Sequence, residues 1–286
     1  MSGNTDSPTL RERLQSAGLF PKKSFGQHYL QDPRLLASVV AEAGVGEGDS
    51  VLEVGTGPGT LTRQLALKAG RVLTVEKDPQ LLEFARGELQ DFTNISYCCA
   101  DVLESRVRLN SSVISQLESM GPLLWVSNLP YGIATPLIVT FCESRLQWIR
   151  AAVTVQGEVA DRIAAGPGQP AYGPVTLLVR YWAAPRRGRK ILPGAFWPPP
   201  EVTSRVLHLE RTEPLGTRAE YPAYRHWVKL LFSERRKQLG GLLRKALGPS
   251  ASGKALEVLR KAPERRAEHL AAADFLRLAR AFPVHG

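Results

Sequence analysis

The stretch that decides the fold is Val51-Leu52-Glu53-Val54-Gly55-Thr56-Gly57-Pro58-Gly59. Its apolar start predicts a short buried strand, and the glycines after it predict a tight turn that leads into a helix at 61–68. Glycine lets the backbone come close to a ligand where a side chain would clash. The three glycines alternate with single residues, and this spacing differs from that of dinucleotide-binding sites. The stretch therefore predicts either a ligand-binding turn or an ordinary strand-to-helix connection.

Strand-like and helix-like segments alternate on both sides of this turn. The apolar patterns predict strands at 71–75, 95–98, 123–126 and 152–155, and helices at 33–43, at 79–90 and from 136 onward. Such alternation is typical of a doubly wound, mostly parallel α/β sheet. Two later runs, 176–182 and 204–209, predict further strands at the far edge of that sheet, one of them antiparallel.

The pattern changes to helices from residue 213 onward. Helical segments are predicted at 222–246, 253–261 and 264–281, separated by Gly248-Pro249 and by Pro263. We therefore predict an N-terminal extension at 1–20 with a short helix near 8–18, an α/β domain at 21–212 and a small all-helical domain at 213–286.

Composition excludes several classes of protein. The chain has 286 residues, of which 43% are hydrophobic and 22% are charged, as in a globular protein. No apolar run is long enough to cross a membrane, and the first twenty residues lack the apolar core of a signal peptide. The three cysteines, Cys98, Cys99 and Cys142, form neither a disulfide framework nor a zinc pattern. We therefore expect a cytoplasmic protein with no membrane segment and no metal site.

Positive charge is concentrated in the last third of the chain. Residues 186–286 hold 21 Lys/Arg against 9 Asp/Glu, whereas residues 1–185 hold 16 against 18. This asymmetry suggests either a polyanionic partner or a solubilising surface. The run Arg235-Arg236-Lys237 is the main candidate for phosphate contacts. On the predicted helix its side chains would fan out at about 100° per residue, so at least one would face the partner; the alternative is a solvated helix face.

Two acidic residues follow successive predicted strands. Glu76 comes 21 residues after Gly55, and a carboxylate at this position of an α/β sheet accepts hydrogen bonds from ribose hydroxyls. Asp101 follows the third strand, where it can accept from an adenine amino group. Asp78 is better explained as the cap of the helix that starts at Pro79. The glycine turn and these acids together resemble class I methyltransferases, which bind S-adenosylmethionine.

The segment Ser127-Asn128-Leu129-Pro130-Tyr131 follows the fourth strand and suits the methylation of an exocyclic amine on a base. The lone pair of such an amine is delocalised into the ring and is a poor nucleophile. The side-chain oxygen of Asn128 and the carbonyl of Leu129 or Pro130 can accept both N–H bonds and localise the lone pair. Tyr131 offers a face on which an extruded base stacks. The alternative is a plain turn with a buried tyrosine.

From about Lys23 to Phe275 the sequence resembles the KsgA family of small-subunit ribosomal RNA adenine dimethyltransferases. Besides the stretches above, four segments carry this resemblance: Phe25–Leu30, which in the family closes over the cofactor, Val155–Arg162, Phe196–Ser204 and Phe232–Lys237.

The resemblance implies an enzyme that dimethylates two adjacent adenines near the 3′ end of 16S rRNA in the immature small ribosomal subunit. It also implies S-adenosylmethionine as the cofactor. The sequence does not indicate an oligomeric state, and we take a monomer as the default. The implied site residues are His28, Leu30, Gly55, Gly57, Glu76, Asp101 and Asn128 for the cofactor, Asn128, Leu129, Pro130 and Tyr131 for catalysis, and Arg235, Arg236 and Lys237 for RNA. Two alternatives stay open: a non-enzymatic ribosome-assembly factor, and a methyltransferase that acts on large-subunit rRNA or on DNA.

Four positions depart from the family pattern. His28 stands where the family has Asn, Gly157 replaces a usual Lys, and Gly240-Gly241 replaces residues that usually include an Asn. Paired glycines inside a helix would cost roughly 2 kcal/mol relative to alanine. The core from Asn128 to Tyr131 is intact, so we expect an active enzyme.

Overall fold

The computed structural model describes residues 8–22 and 25–283, and its chain divides into two compact units. The first unit comprises Met1–Ala160 and Arg186–Glu210, and the second comprises Asp161–Pro185 and Arg211–Gly286. The sequence places the division near residue 212, whereas the structure adds an earlier segment, 161–185, to the second unit. The reason is packing at a distance along the chain: Tyr172 and Tyr224, one in each segment of this unit, donate hydrogen bonds to the carbonyls of Leu270 and Leu177.

The first unit is built around the predicted sheet. In chain order its elements are α1 (Leu10–Ser16), β1 (Tyr29–Leu30), α2 (Pro33–Glu42), β2 (Ser50–Val54), α3 (Thr60–Ala66), β3 (Arg71–Glu76), α4 (Pro79–Glu88), β4 (Ile95–Cys99), β5 (Leu103–Ser105), β6 (Arg108–Leu109), α5 (Ser111–Glu118), β7 (Leu123–Asn128), α6 (Ala134–Glu143) and β8 (Trp148–Gln156). The helix α7 (Gly157–Ile163) follows, and α8 (Pro174–Arg180) belongs to the second unit. The last strands are β9 (Ala183–Ile191), β10 (Phe196–Trp197) and β11 (Ser204–Arg211).

Seven strands form one sheet in the order β4-β3-β2-β7-β8-β11-β9. The pairs among β4, β3, β2, β7 and β8 are parallel, and β11 runs antiparallel to β8 with Ser204 opposite Gln156. Every residue of β2 is buried, as expected for a strand covered on both faces. The predicted doubly wound sheet is therefore confirmed, and so is the strand at 204–209. Of the two runs predicted for the far edge, the structure shows that 204–209 is an antiparallel strand.

The strand predicted at 176–182 is wrong, because this segment forms the helix α8. Short apolar runs do not distinguish a strand from a buried helix by periodicity. The local signals favour a helix start: Pro174 occupies the first turn, and the Thr176 hydroxyl accepts a hydrogen bond from the Gly173 amide at 3.2 Å. The strand at this edge of the sheet is instead β9, the next segment along the chain. Its charged residues interrupt the apolar pattern from which strands are predicted.

Two predicted helix starts are confirmed in atomic detail. Asp78 accepts a hydrogen bond from the amide of Gln80 and caps α4, with Pro79 in the first turn. Asp32 does the same for α2.

The short helix expected near 8–18 is α1. Its Leu10 and Leu14 are buried in a cluster with Tyr29 and Leu81. Residues 1–7 of the predicted extension lie outside the described residues.

The second unit continues with α9 (Tyr221–Ser233), α10 (Leu239–Leu259) and α11 (Ala272–Ala281). The single helix predicted at 222–246 is wrong, because the chain leaves the helix between 234 and 238. The amides of Leu239 and Gly240 donate to the carbonyls of Arg265 and Pro263 instead of continuing α9. The predicted break at Gly248-Pro249 is present as a kink within α10, where Gly248 has φ +80°.

The glycine pair 240–241 lies in the first turn of α10 rather than in a helix interior, so the penalty for interior glycines does not apply. A Cβ at Gly240 would lie 2.9 Å from the Cβ of Pro263. The first glycine therefore permits close packing of the helix start against the 263–265 loop.

Candidate active site

A cavity of about 270 Å³ opens at the carboxyl ends of the central parallel strands. It lies within the first unit, and four strand ends and the segment before β1 supply its walls. The lining residues are 25–29, 54, 55, 57, 75–77, 100–102 and 128–133. Segments far apart in sequence thus converge where open α/β sheets bind ligands.

The glycine turn after β2 forms one wall and requires glycine for conformational reasons. Gly55, Gly57 and Gly59 have φ values of +84°, +54° and +84°, a region that other residues rarely adopt. A Cβ at Gly57 would also lie 3.1 Å from Cδ1 of Tyr29. The turn is therefore a ligand-facing cradle whose backbone is brought close to the opposite wall.

Glu76 is buried at the end of β3 and holds the cradle in place. Its Oε2 accepts from the amide of Gly57 at 3.1 Å, and its Oε1 accepts from the amides of Lys77 and Asp78 at 2.9 and 3.0 Å. Burial raises the pKa of Glu76, whereas these backbone donors act in the opposite direction. A carboxylate has about four acceptor positions, so these three donors leave roughly one, on Oε2, for a ligand in the cavity.

Asp101 also lines the cavity, as expected, and its side chain is exposed. Its Oδ1 accepts a hydrogen bond from the amide of Leu103 at 3.0 Å, which fixes the loop after β4.

Glu53 is a buried acid behind the cradle, and the sequence did not single it out as a site residue. Its Oε2 accepts hydrogen bonds from the hydroxyls of Thr62 and Thr74 at 2.6 and 2.7 Å. The Thr74 hydroxyl is also 2.6 Å from that of Thr56 in the glycine turn. Burial raises the pKa of Glu53 to about 8, so this carboxyl is mostly protonated at neutral pH.

Asn128 presents an acceptor without a donor. Its Nδ2 donates to the backbone carbonyl of His28 at 2.8 Å, which fixes the orientation of the side-chain amide. Its Oδ1 is buried and makes no hydrogen bond to any described residue. A buried polar atom without a partner is costly, and such atoms mark places where a ligand supplies the partner. Asn128 lines the cavity, so its Oδ1 is available to accept a hydrogen bond from a donor group placed there.

Tyr131 and His28 lie side by side at the same wall. Their rings stack at 5.2 Å between centroids, and the Tyr131 hydroxyl is 2.5 Å from that of Ser204. Burial raises the pKa of Tyr131, which keeps the phenol neutral. Nδ1 of His28 donates to the carbonyl of Pro198 at 2.7 Å. The histidine in place of the family's asparagine thus packs on the tyrosine and holds the 198 segment.

Several cavity residues were not among the predicted site residues, and two of them, Phe25 and Lys77, contact each other. The Lys77 ammonium lies 4.0 Å from the centre of the Phe25 ring, a cation–π contact between the segment before β1 and the end of β3. The position of Lys77 directly after Glu76 is the sequence feature that could have predicted its place at the cavity.

Leu30 does not line the cavity. Its side chain is buried in the hydrophobic core, and its carbonyl accepts a hydrogen bond from the Thr60 hydroxyl at 3.0 Å. The adjacent residue, Tyr29, lines the cavity in its place.

The run Arg235-Arg236-Lys237 lies in the second unit, in the turn after α9, so the expected helical fan is wrong. Arg235 donates to Glu268 at 3.0 Å and to the carbonyl of Pro170 at 2.7 Å, and Lys237 pairs with Glu234 at 2.5 Å. Arg236 is exposed and has no ion pair with any residue in 8–22 or 25–283. Two of the three cations therefore already have acidic partners.

No membrane-crossing helix is found among the described residues, since none is both long and apolar enough. In the same part of the chain, no group of three or more His, Cys, Asp or Glu side chains is arranged to hold a metal ion.

Comparison with known proteins shows which family this chain resembles. The model of the ribosomal RNA adenine dimethylase family matches residues 20–282. The ribosomal RNA small subunit methyltransferase A of Magnetococcus marinus is 39% identical over 81% of this chain and 81% of its own length. The protein of that name from Phenylobacterium zucineum is 37% identical over 96% of this chain and 93% of its own length.

Solved structures show the same fold. The 23S rRNA methyltransferase ErmE is 25% identical, with a TM-score of 0.68 over 88% of this chain and 98% of its own. A dimethyladenosine transferase from Plasmodium falciparum is 23% identical, with a TM-score of 0.75 over 89% of this chain and 97% of its own. The predicted Rossmann-like methyltransferase fold is thereby confirmed. With a family model that spans nearly its whole length and relatives well above 30% identity, the chain belongs to the ribosomal RNA adenine dimethylase family.

Proposed function

We propose that this protein transfers methyl groups from S-adenosylmethionine to the N6 amines of two adjacent adenines near the 3′ end of 16S rRNA. The substrate is the immature small ribosomal subunit. Relatives named ribosomal RNA small subunit methyltransferase A support the substrate class. The observation that carries the chemistry is the buried Oδ1 of Asn128, an acceptor in the cavity that receives no hydrogen bond from the described residues.

The cavity fits the proposed cofactor. Gly57 leaves room that a Cβ would fill, and Glu76 keeps an acceptor position for a ribose hydroxyl. Asp101 stands where it can accept from the adenine amino group, while His28 and Asn128 border the same space. The cofactor supplies an electrophilic methyl group when it is bound. Leu30 has no side-chain role in this arrangement.

The target amine needs two acceptors to localise its lone pair. Oδ1 of Asn128 accepts one N–H bond, and its orientation is held by the bond from Nδ2 to His28. The Pro130 carbonyl already accepts the amide of Ile133 at 3.2 Å. No backbone amide among the described residues donates to the carbonyl of Leu129, so both of its lone pairs are available, and we assign the second N–H bond to it. No strong base is required, because the proton becomes acidic as the methyl group arrives.

Tyr131 provides the stacking surface for the extruded base. His28 covers one face of the ring, so the base stacks on the other face. The hydrogen bond between the hydroxyls of Tyr131 and Ser204 fixes the ring in place.

The net charge of +10 favours binding to RNA, because RNA is a polyanion. In the turn after α9, Arg236 has no ion-pair partner among the described residues and is the first candidate for a phosphate contact, whereas Arg235 and Lys237 would exchange an exposed ion pair for such a contact.

The experiment supplies labelled S-adenosylmethionine to the full-length protein with small subunits from cells that lack this methylation. We expect dimethyladenosine at two adjacent positions near the 3′ end of 16S rRNA. Asn128→Ala should lower turnover at saturating substrates at least a hundredfold, as when one oriented hydrogen-bonding group is removed from an active site. Asn110→Ala, which removes a half-buried asparagine at the cap of α5 that does not line the cavity, is the matched control and should retain turnover.

Large subunits form the second arm of this experiment, because ErmE is a 23S rRNA methyltransferase. Methylation of large subunits alone would refute the proposed substrate. Binding to small subunits without any methylation would refute the enzyme and favour an assembly factor. Near-normal turnover by the Asn128→Ala variant would remove this residue from catalysis.

A further inference from the structure

The edge strand β9 carries an unusual concentration of positive charge. Arg186, Arg187, Arg189 and Lys190 lie within five residues, and β9 contains no acidic residue. All four cations are exposed. They belong to the part of the strand that lies in the first unit, together with the cavity. We refer to residues 186–190 as the basic edge.

Only part of this charge is neutralised within the protein. Arg189 forms an ion pair with Glu42 at the end of α2, and Nε2 of His208 lies 3.8 Å from the same carboxylate. Within the described part of the chain, Arg186 and Lys190 have no ion-pair partner. Alternate side chains of a strand share a face, so these two cations project from the same face about 13 Å apart.

The basic edge is held firmly against its neighbour β11. A Cβ at Gly188 would lie 2.6 Å from Nε2 of His208, so glycine brings the two strands close together. Arg205 on β11 donates from Nη1 to the carbonyl of Gly188 at 3.1 Å. Burial lowers the pKa of His208, and the positive charge of Arg186 acts in the same direction. The cations are thus presented by a fixed strand.

A short connection joins the basic edge to the cavity wall. Lys190 precedes Trp197 by seven residues, a separation of at most about 25 Å. Trp197 pairs with Tyr29, which lines the cavity. An RNA strand with one base in the cavity therefore has phosphates within reach of the basic edge.

We propose that the basic edge is a second RNA-binding surface, on which Arg186, Arg187 and Lys190 contact phosphates that flank the target adenines. The inference rests on the proposed function, since it takes rRNA as the partner. The charge complementarity is direct: an exposed basic strand with two cations that lack acidic partners faces a polyanion. Such contacts position the RNA and do not select its sequence. The competing explanation is that the charges only protect a sheet edge from pairing with another chain.

The test compares two double variants of the full-length protein. Arg186→Gln/Lys190→Gln removes the two cations of the basic edge that have no ion-pair partner within the described part of the chain, and it leaves Arg187 and the Arg189–Glu42 pair in place. Lys68→Gln/Arg145→Gln is the matched control, because it also removes one exposed lysine and one exposed arginine. These two residues precede β3 and β8, at the end of the sheet where the parallel strands begin. Binding to unmethylated small subunits is measured over a series of potassium chloride concentrations, together with methyl transfer by the unaltered protein.

We expect the basic-edge variant to lower the slope of log affinity against log salt by about 1.5, since each lost phosphate contact removes roughly 0.7–0.9. The control variant should change the slope by less than about 0.5 on the same scale. Cofactor affinity should be unchanged in both variants, because neither pair of residues lines the cavity.

An unaltered slope in the basic-edge variant would overturn the inference while methylation by the unaltered protein upholds the proposed function. Self-association of that variant, seen by light scattering with an unaltered slope, would assign the charges to edge protection and would also overturn it. If the unaltered protein binds subunits without methylating them, the proposed function fails and the slope still decides the inference. If it neither binds nor methylates, both fail.

Discussion

Replacement of Glu76 by glutamine tests the cofactor assignment most directly. The two donors at Oε1, the amides of Lys77 and Asp78, will retain the amide oxygen on their side. The new amide nitrogen then occupies the Oε2 position. It cannot accept from Gly57, and it offers no acceptor to a ligand in the cavity.

The magnitude follows from one lost hydrogen bond to a charged group, worth about 1.5–3 kcal/mol. We therefore expect the dissociation constant for S-adenosylmethionine to rise about 10- to 150-fold. The Gly57 amide also loses its partner, so the free energy of unfolding should fall by about 1–3 kcal/mol. Isothermal calorimetry measures the first effect, and urea unfolding without ligand measures the second.

Asp78→Asn is the matched control for this change. Asp78 is also buried and follows two residues later, but it does not line the cavity, and asparagine caps a helix equally well. The dissociation constant of the Asp78→Asn protein for S-adenosylmethionine should stay within about threefold of the original value, a difference below 1 kcal/mol. A folded Glu76→Gln protein that binds the cofactor as tightly as this control would refute the ribose assignment.

Two further predictions concern the cradle. Because burial raises the pKa of Glu53 to about 8, the folded state binds more protons than the unfolded state between about pH 4.5 and 8. The free energy of unfolding should therefore fall by roughly 3–5 kcal/mol as the pH rises through this window, and this fall should be smaller in the Glu53→Gln variant. Urea unfolding at several pH values measures both proteins. If the free energy of unfolding depends on pH in the same way in both, the burial argument is contradicted. Gly57→Ala should weaken cofactor binding at least tenfold, since its Cβ would lie 3.1 Å from Tyr29 at a φ of +54°. Gly241→Ala, where a Cβ meets nothing within 4 Å, is the control, and equal binding by both variants would show that the cradle tolerates a side chain.

Much of the fold could be predicted because its signals are local. A buried strand, a glycine turn and a helix capped by Asp78 each occupy a few consecutive residues, and chain order alone implies a parallel sheet. The errors arose where local signals were ambiguous or misleading. The run at 176–182 suited a strand as well as a buried helix, and the charges of β9 hid the true edge strand.

The positions of the site residues could be predicted to the same extent. Glu76 and Asn128 end the parallel strands β3 and β7, and Asp101 follows the parallel strand β4, so their convergence at the carboxyl ends of the sheet is a consequence of topology. Leu30 illustrates the limit of this reasoning. Adjacent residues of a strand point to opposite faces, and only the pairing with β10 decides that Tyr29 faces the cavity while Leu30 enters the core.

The sequence by itself determined the α/β architecture, the glycine cradle and the acids at its rim, because periodicity and backbone preference are properties of neighbouring residues. Only the tertiary structure decided which polar groups have partners. Arg235 is paired because Glu268 lies beside it, and Oδ1 of Asn128 is left free because the amide nitrogen is held by His28, 100 residues away in sequence. Hydrogen bonds and ion pairs join residues that are close in space, so the availability of a group for substrate depends on contacts that no local pattern contains.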